Sequence, residues 1–405
     1  MPCHPGERGP SRRDLTKGKC VSTQSTIRTA QSCEAEARAA AREFYAGVCQ
    51  PKMAFVVFFC SSDYDLDALA DEMTKLFQGV TVVGCTSAGE IGPLGYYDLG
   101  LTGASFPADT CTAVAGRIGD LQHFKISEGE AFVQALLQQL EERVPTAGPD
   151  NSFSFLLIDG LSRREEPVAR ALQDSLGNIT LFGGSAGDNL KLTRTWVFHD
   201  GAFHPDSAVL LLVSTSLPFK IFKTQHFVSE EERLVVTEAD ASRRIVKEIN
   251  GLPAAEEYAR VVGADVGDLN PMRFAASPVV VTIDGTDYVR SIQRANPDGS
   301  LTFFCAIDEG LVLRVVRGVD LLGNLERTFD TIRTEIGPFQ LAIACDCILR
   351  NLEMTQSGAK EAVAELLRKS RVVGFSTYGE QYHGVHVNQT LTGIALGYPR
   401  EGYGI

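Results

Sequence analysis

Apolar residues along this chain fall into a pattern that occurs three times. Each copy begins with an apolar run, continues with a segment in which apolar positions recur every three or four residues, and ends in a second apolar run. The first copy runs from Met53–Cys60 through Asp65–Phe77 to Val82 and Val83. This spacing predicts a strand–helix–strand unit.

The second copy pairs the apolar run Phe153–Ile158 with a helical pattern over Pro167–Leu176. The third copy pairs Gln340–Cys345 with a helical pattern over Ala359–Lys369. From Pro218 to the third copy, the chain carries many short strand-like segments. Because strands joined by helices commonly lie in a sheet that the helices cover, we expect an α/β protein with mixed β-sheets flanked by helices.

Each copy ends in a glycine-rich turn that closes on an acidic residue: Glu90, Asp188 or Glu380. The first and third copies both read Val-Val-Gly, four residues, Gly-Glu, and both reach Leu-Thr-Gly 17 residues after the first glycine. Two interpretations are open. The acid caps backbone amides at the end of a strand, or the turn lines a ligand crevice, as polar strand ends often do.

The length of 405 residues favours two domains over one core. Residues 1–32 are rich in Arg, Lys, Ser, Thr, Gly and Pro and lack the apolar centre of a secretory signal, so we predict a disordered basic tail. We place the domain boundary where the chain becomes rich in short strand-like segments. The prediction is an N-terminal domain over residues 33–216 and a C-terminal domain over residues 217–405.

Charge and cysteine usage narrow the class of protein. The net charge of −13 disfavours nucleic acid and anionic membranes as partners. No apolar run approaches the roughly 18 to 20 residues of a membrane span. The ten cysteines are scattered, mostly within apolar runs, which is typical of reduced thiols rather than a disulfide framework. We expect a cytoplasmic protein.

Two motifs raise the possibility of catalysis or metal binding, and both are incomplete. Gly183 to Gly187 matches Gly-x-Ser-x-Gly around Ser185, but the following segment alternates like a strand instead of forming the helix that a nucleophile elbow requires. Cys345 and Cys347 lack the second ligand pair of a structural zinc site. A serine hydrolase stays a minor alternative, and we predict that the chain is not an enzyme.

Two of the seven histidines stand out as candidate ligands. His226 lies on an apolar, aromatic strand, and His386 follows the third glycine–acid turn. One imidazole can hold a haem iron and leave the opposite face open for a gas. For either residue, a packed histidine without a ligand is the alternative.

Several of these motifs resemble the FIST family, whose members carry an N-terminal and a C-terminal FIST domain. The resemblance rests on the Val-Val-Gly…Gly-Glu units, the Ser-Ala-Gly-Asp unit, Ile249–Ala254 and Asn388–Leu391, and covers roughly residues 35–398. The segments Thr224–Phe227 and Tyr378–Thr390 look most like the NosP branch. NosP proteins are haem-binding nitric oxide sensors that act on histidine kinases or cyclic-di-GMP enzymes.

The resemblance implies a sensor that holds haem b, binds nitric oxide and regulates such a partner enzyme through protein contact. At most one of His226 and His386 would be the proximal ligand of the iron, and a homodimer is compatible with this picture. The alternative is a FIST-type sensor of a small metabolite such as an amino acid. In that case Glu90, Asp188 and Glu380 would bind its polar groups.

Overall fold

The computed structural model describes residues 26–283 and 285–399, which form the predicted mixed α/β fold. Strand β1 (Arg28–Ser32) already belongs to a sheet, where it pairs antiparallel with 101–105. The predicted disordered tail, residues 1–32, is therefore wrong at its C-terminal end. Residues 1–25, which make up most of that tail, and residues 400–405 lie outside the described residues.

Repeat one, residues 28–107, contains the first predicted strand–helix–strand unit. After β1 it consists of α1 (Ala37–Val48), β2 (Met53–Ser61), α2 (Leu66–Leu76), β3 (Thr81–Ser87), β4 (Glu90–Gly92), β5 (Gly95–Tyr97) and β6 (Leu101–Pro107). Helix α2 begins where the Asp65 carboxylate accepts a hydrogen bond from the Ala68 N–H at 3.0 Å. Lys75 in its last turn suits the negative end of the helix dipole.

Repeat two, residues 111–215, has the same order of elements. It consists of β7 (Cys111–Gly119), α3 (Ile126–Arg143), β8 (Ser152–Ile158), α4 (Glu165–Leu176), β9 (Leu181–Ser185), β10 (Val197–His199), β11 (Ala202–His204) and β12 (Ser207–Thr215). The predicted boundary at residues 216 and 217 falls in the link that follows β12.

Repeat three begins with β13 (Phe219–Thr224) and is then interrupted by a strand-rich insertion, residues 225–320. The insertion consists of β14 (Phe227–Asp240), β15 (Ile245–Ile249), β16 (Leu252–Pro253), α5 (Ala254–Val261), α6 (Pro271–Ala276), β17 (Val279–Ile283), β18 (Thr286–Arg290), β19 (Ile292–Ala295), β20 (Leu301–Phe303) and β21 (Val312–Gly318). Repeat three resumes with α7 (Leu321–Ile336), β22 (Phe339–Cys347), α8 (Ile348–Ser357), α9 (Lys360–Lys369), β23 (Val372–Thr377), β24 (Glu380–Tyr382), β25 (Val385–Val387) and β26 (Leu391–Gly397).

The three repeats build three equivalent six-stranded sheets and exchange their hairpins in a ring. Within each repeat, two strands pair in parallel and the last strand returns antiparallel beside them. The hairpin after each glycine–acid turn joins the sheet of another repeat: β4–β5 pairs with β23, β10–β11 with β3, and β24–β25 with β9. The N-terminal and C-terminal parts of the chain therefore share sheets.

The inner faces of the three sheets enclose one central core. The ring of Phe59 stacks on Phe375 with centroids 4.4 Å apart and meets Phe155 edge-on at 6.3 Å, so all three repeats touch there. Helices cover the outer faces and form three satellite cores. Because both faces of each central strand are buried, these strands are mostly apolar, as the sequence pattern predicted.

The insertion has a sheet and an apolar core of its own. Its two connections to repeat three run side by side, because Phe227 pairs with Gly318 and the Val319 N–H donates to the His226 carbonyl at 2.8 Å. Within the described ranges, no helix combines the length and the apolar character that a membrane crossing demands.

Candidate functional site

The three glycine–acid turns meet where the sheets converge. Three of the backbone hydrogen bonds between the turns form a ring: Ala88 N–H to the Ser376 carbonyl at 2.9 Å, Gly187 N–H to Thr86 at 3.0 Å, and Tyr378 N–H to Ser185 at 3.3 Å. Each bond links a different pair of repeats. The turns therefore hold the three repeats together through backbone hydrogen bonds alone.

Glu90 is fully buried and already has partners. One carboxyl oxygen contacts the Ser87 hydroxyl, and the other accepts from the Gly100 N–H at 2.8 Å. Burial raises the pKa of Glu90 to about 8. Since the single Ser87 proton also reaches the Cys60 carbonyl at 3.1 Å, a protonated Glu90 that donates to Ser87 satisfies both contacts.

Glu380 repeats this arrangement in the third copy. One oxygen contacts the Thr377 hydroxyl, and the other accepts from the N–H and hydroxyl of Thr390 at 3.2 and 2.7 Å. Burial raises the pKa of Glu380 to about 8 as well. Both glutamates close the hairpin that follows them, which is the capping role considered from the sequence.

Asp188 organises the loop after the second turn. Its oxygens accept from the N–H groups of Leu192, Thr193 and Arg194 at 2.8–2.9 Å, from the Thr193 hydroxyl at 2.9 Å and from the Tyr378 hydroxyl. Asp188 is 1% exposed. All three predicted ligand-binding carboxylates therefore lie buried against protein donors. Asp188 positions the loop that follows it and does not itself reach the surface.

His226 lies in a buried chain of polar groups at the base of the insertion. Its Nδ1 accepts from Arg350 at 3.0 Å, so its Nε2 carries the proton and donates to Glu353 at 2.8 Å. Arg350 also donates to Asp346 at 2.6 Å, and Asp346 accepts from the Tyr96 hydroxyl. Burial lowers the pKa of His226, and the hydrogen bond to Glu353 opposes that shift.

His386 is 1% exposed and lies beside the third turn. Its Nδ1 is 3.2 Å from the Gln381 amide nitrogen, which also donates to the Ser185 hydroxyl at 2.9 Å. Among the described residues, its Nε2 makes no hydrogen bond of normal geometry, although a contact with the Phe304 backbone acts to raise its pKa. Burial lowers the pKa of His386 to about 4, so the ring is neutral at physiological pH.

Neither imidazole, as it lies here, fits the axial ligand of a haem. Both ring nitrogens of His226 are engaged. The free Nε2 of His386 is packed against the backbone of Gly379, where an added Cβ would lie 2.6 Å from it. A macrocycle needs an open apolar slot beside its ligand. His226 and His386 lie at different contacts of the insertion, so the structure does not bring them together. The binding of haem b stays a prediction.

The two incomplete motifs stay incomplete in the structure. Ser185 is buried at the end of β9, and an isolated bridge between Asp188 and Leu190 follows it where an elbow would have a helix. Cys345 and Cys347 are buried thiols whose pKa burial raises. Across the described ranges, no cluster of three or more His, Cys, Asp or Glu side chains is placed to hold a metal ion.

A cleft of about 270 Å³ lies between repeat two and the insertion, and we call it the arginine cleft. None of the described residues that line it is acidic. Repeat two contributes Arg163, Leu192 and Thr193 to its lining, and the insertion contributes Arg244, Gln293, Arg294 and Phe304. The cleft adjoins a groove of about 380 Å³ that shares Arg163 and Arg244.

Three of the residues that line this cleft have a strained backbone. Arg163, Leu192 and Arg244 have φ values of +57°, +53° and +56°, in the left-handed region that side chains other than Gly and Asn rarely adopt. Such conformations cost on the order of 1–3 kcal/mol each and cluster at ligand sites. Asp188 helps to hold Leu192 in place through its backbone N–H.

Arg244 joins the insertion to repeat two through buried ion pairs. Its guanidinium donates to Glu165 at 2.7 Å, to Glu166 and to the Phe304 carbonyl, and its side chain is 6% exposed. Glu166 also accepts from the Ala306 N–H at 2.6 Å. Burial opposes the charge on Arg244, but the two carboxylates outweigh it and raise its pKa. Arg244 is therefore a structural wall of the cleft.

A larger cleft of about 500 Å³ between repeats one and two is the other main cavity. Its charged side chains already have partners: Arg143 donates to the Ala113 carbonyl at 3.0 Å, and His199 lies 3.2 Å from Asp200. The arginine cleft is the better candidate site, because it presents charge without a partner. Sequence reasoning missed it because its two walls are far apart along the chain.

Two family models match the chain. Residues 54–252 match the FIST N domain and residues 254–383 match the FIST C domain. The chain therefore belongs to the FIST family, as the sequence motifs predicted; FIST domains are non-catalytic sensory domains of signalling proteins. The FIST N match extends beyond repeat two and into the insertion. No curated protein matches the chain.

Proposed function

We propose that this chain is a sensor that binds a small metabolite in the arginine cleft and passes the signal to a partner protein by contact. The observation that carries the proposal is the position of the cleft between repeat two and an insertion with its own core. A ligand that contacts both walls stabilises the relative position of repeat two and the insertion in which both contacts form. This is the metabolite alternative of the sequence analysis, with the ligand moved from the three carboxylates to the arginines.

A metabolite library tested by thermal shift, with one variant that fills the cleft, tests this proposal. Gln293 is half-buried on β19 and lines the cleft, so Gln293→Trp blocks it without changing charge. Gln134 is exposed on α3, away from the cleft, and Gln134→Trp is the matched control. Ligands that raise Tm should lose their effect in Gln293→Trp only. An unchanged effect in Gln293→Trp, or no active compound, would contradict the proposal.

The haem-bound nitric oxide sensor implied by the NosP resemblance, acting on a histidine kinase or a cyclic-di-GMP enzyme, is the second candidate. The buried Nε2 of His386 makes no hydrogen bond of normal geometry within the described part of the chain, which favours this candidate. The contact of that ring with Gly379 opposes it. Reconstitution with haem b tests it. A Soret band that is kept in His226→Ala and lost in His386→Ala would support this candidate, and absence of the band would exclude it.

A further inference from the structure

We infer that the arginine cleft binds a small anion, whose carboxylate or phosphate group lies between Arg163 and Arg294. The inference rests on the proposed function, because it names the ligand class of the same cleft. The chemistry of carboxylates and phosphates is shared here: each offers paired oxygens that a guanidinium binds with two parallel hydrogen bonds.

The charge of the cleft is opposite to that of the protein. The chain carries a net charge of −13, yet none of the described residues lining the cleft is acidic and three are arginines. Glu166 in the adjoining groove has its carboxylate bound to Arg244 and to the Ala306 N–H. A cleft of one sign attracts ligands of the other sign and raises their local concentration.

Arg163 is the first free cation of the cleft. It is exposed in the loop between β8 and α4 and has no hydrogen-bond or ion-pair partner among the described residues. The neighbouring Arg164 differs, because its Nε donates to the Leu121 carbonyl at 3.0 Å. Arg163 has a left-handed backbone, and its guanidinium has no hydrogen-bond or ion-pair partner among the described residues, which leaves it available for a ligand.

Arg294 is the second free cation and lies on the opposite wall. It is exposed on β19, and its Nε donates to the Asn296 side chain at 3.1 Å. That contact orients the side chain while the two terminal nitrogens have no acceptor among the described residues. Arg244, between the two walls, has its own donors occupied by Glu165, Glu166 and Phe304.

Arg163 belongs to repeat two and Arg294 belongs to the insertion, so an anion between them joins the two bodies. Without the anion, the two positive charges repel each other across the cleft. Binding replaces this repulsion by attraction on both walls. The anion therefore favours a closer position of the insertion against repeat two, which is the differential contact that a sensor needs.

Isothermal titration with four probes tests the inference: succinate, inorganic phosphate, succinamide as the neutral match and 1,4-diaminobutane as the cationic match. Each probe is titrated into the full chain and into Arg163→Gln, Arg294→Gln and Arg170→Gln. Arg170 is an exposed control that pairs with Asp174 at 2.8 Å on α4. We expect at least one anion to bind, with affinity that falls by about tenfold or more in either cleft variant and as salt rises. Arg170→Gln should stay within about twofold.

Each other outcome has one meaning. Binding of succinamide or the diamine that Gln293→Trp abolishes, with no binding of either anion, overturns the inference and leaves the proposed function intact. If the anion affinity is unchanged in both Arg163→Gln and Arg294→Gln, the inference is overturned, because the anion then binds elsewhere. Absence of any cleft ligand, here and in the metabolite library, overturns the proposed function itself. A comparison of the affinities for succinate and phosphate shows whether the cleft prefers a carboxylate or a phosphate group.

Discussion

Repeats one and three use their terminal acid in one way, and repeat two uses it in another. Glu90 and Glu380 each reach a hydroxyl three residues earlier and a backbone N–H ten residues later, so each closes its own hairpin. Asp188, one methylene shorter, instead gathers the loop that follows it. The difference shows that two copies of a repeat can use the acid to stabilise the fold, while the remaining copy, here repeat two, uses it to form the wall of a cleft.

The largest expected effect concerns the ion pairs that Arg244 of the insertion makes with Glu165 and Glu166 of repeat two. Arg244→Met leaves Glu165 and Glu166 buried without their cation, and breaking a buried pair in this way costs about 3–5 kcal/mol. The free energy of unfolding, measured by urea denaturation, should fall by that amount. The control Arg170→Met removes an exposed pair and should change it by less than about 1 kcal/mol. Equal stability of the two variants would show that the Arg244 ion pairs do not stabilise the contact between repeat two and the insertion.

A smaller loss is expected when the acid of repeat two is removed. Asp188→Ala deprives the N–H groups of Leu192, Thr193 and Arg194 of their acceptor, at a cost of about 2–3 kcal/mol of unfolding free energy. Because the loop also lines the arginine cleft, cleft ligands should bind more weakly. Asp200→Ala, in an exposed turn, is the control. Retained ligand affinity in Asp188→Ala would contradict the role assigned to this loop.

The pH dependence of stability separates the glutamates of repeats one and three from the acid of repeat two. Their pKa of about 8 in the folded protein lies above the roughly 4.3 of an unfolded glutamate. Between these values the folded state binds protons that the unfolded state has lost, so the free energy of unfolding decreases as pH rises towards 8. Each carboxyl contributes about 1.4 kcal/mol per pH unit.

The double variant Glu90→Gln, Glu380→Gln removes both titrations. Its unfolding free energy, followed by urea denaturation from pH 5 to 8, should depend less on pH than that of the parent chain. The same measurement on Asp188→Asn gives the comparison with repeat two. If the glutamate variant keeps the parent slope, the two carboxyls are not protonated in the folded protein.

Much of the architecture could be predicted because it is local in the sequence. The apolar runs at Met53–Cys60 and Phe153–Ile158 became β2 and β8, and the helical pattern at Asp65–Phe77 became α2. Helix α8 was not predicted, because it follows β22 without a turn signal at Cys347. The exchange of hairpins was equally hidden, because a three-residue strand carries no information about which sheet it will join.

The candidate site was less accessible than the fold. The acids Glu90, Asp188 and Glu380 attracted attention through their repeated setting, and the structure gives each of them a set of protein donors. Arg163 and Arg294 carried no motif. They are 131 positions apart in the numbering, and only the packing of the insertion against repeat two brings them to one cleft.

The sequence by itself determined the three repeats, the α/β class and the family, because apolar periodicity and glycine-turn spacing act over short stretches of chain. The tertiary structure alone decided which polar groups have partners. It buried Asp188 and His226 among donors and acceptors. Among the described residues, it left the Arg163 side chain and the two terminal nitrogens of Arg294 without an acceptor. The physical reason is that burial and pairing of a charge depend on neighbours in space, which the folding of distant segments supplies.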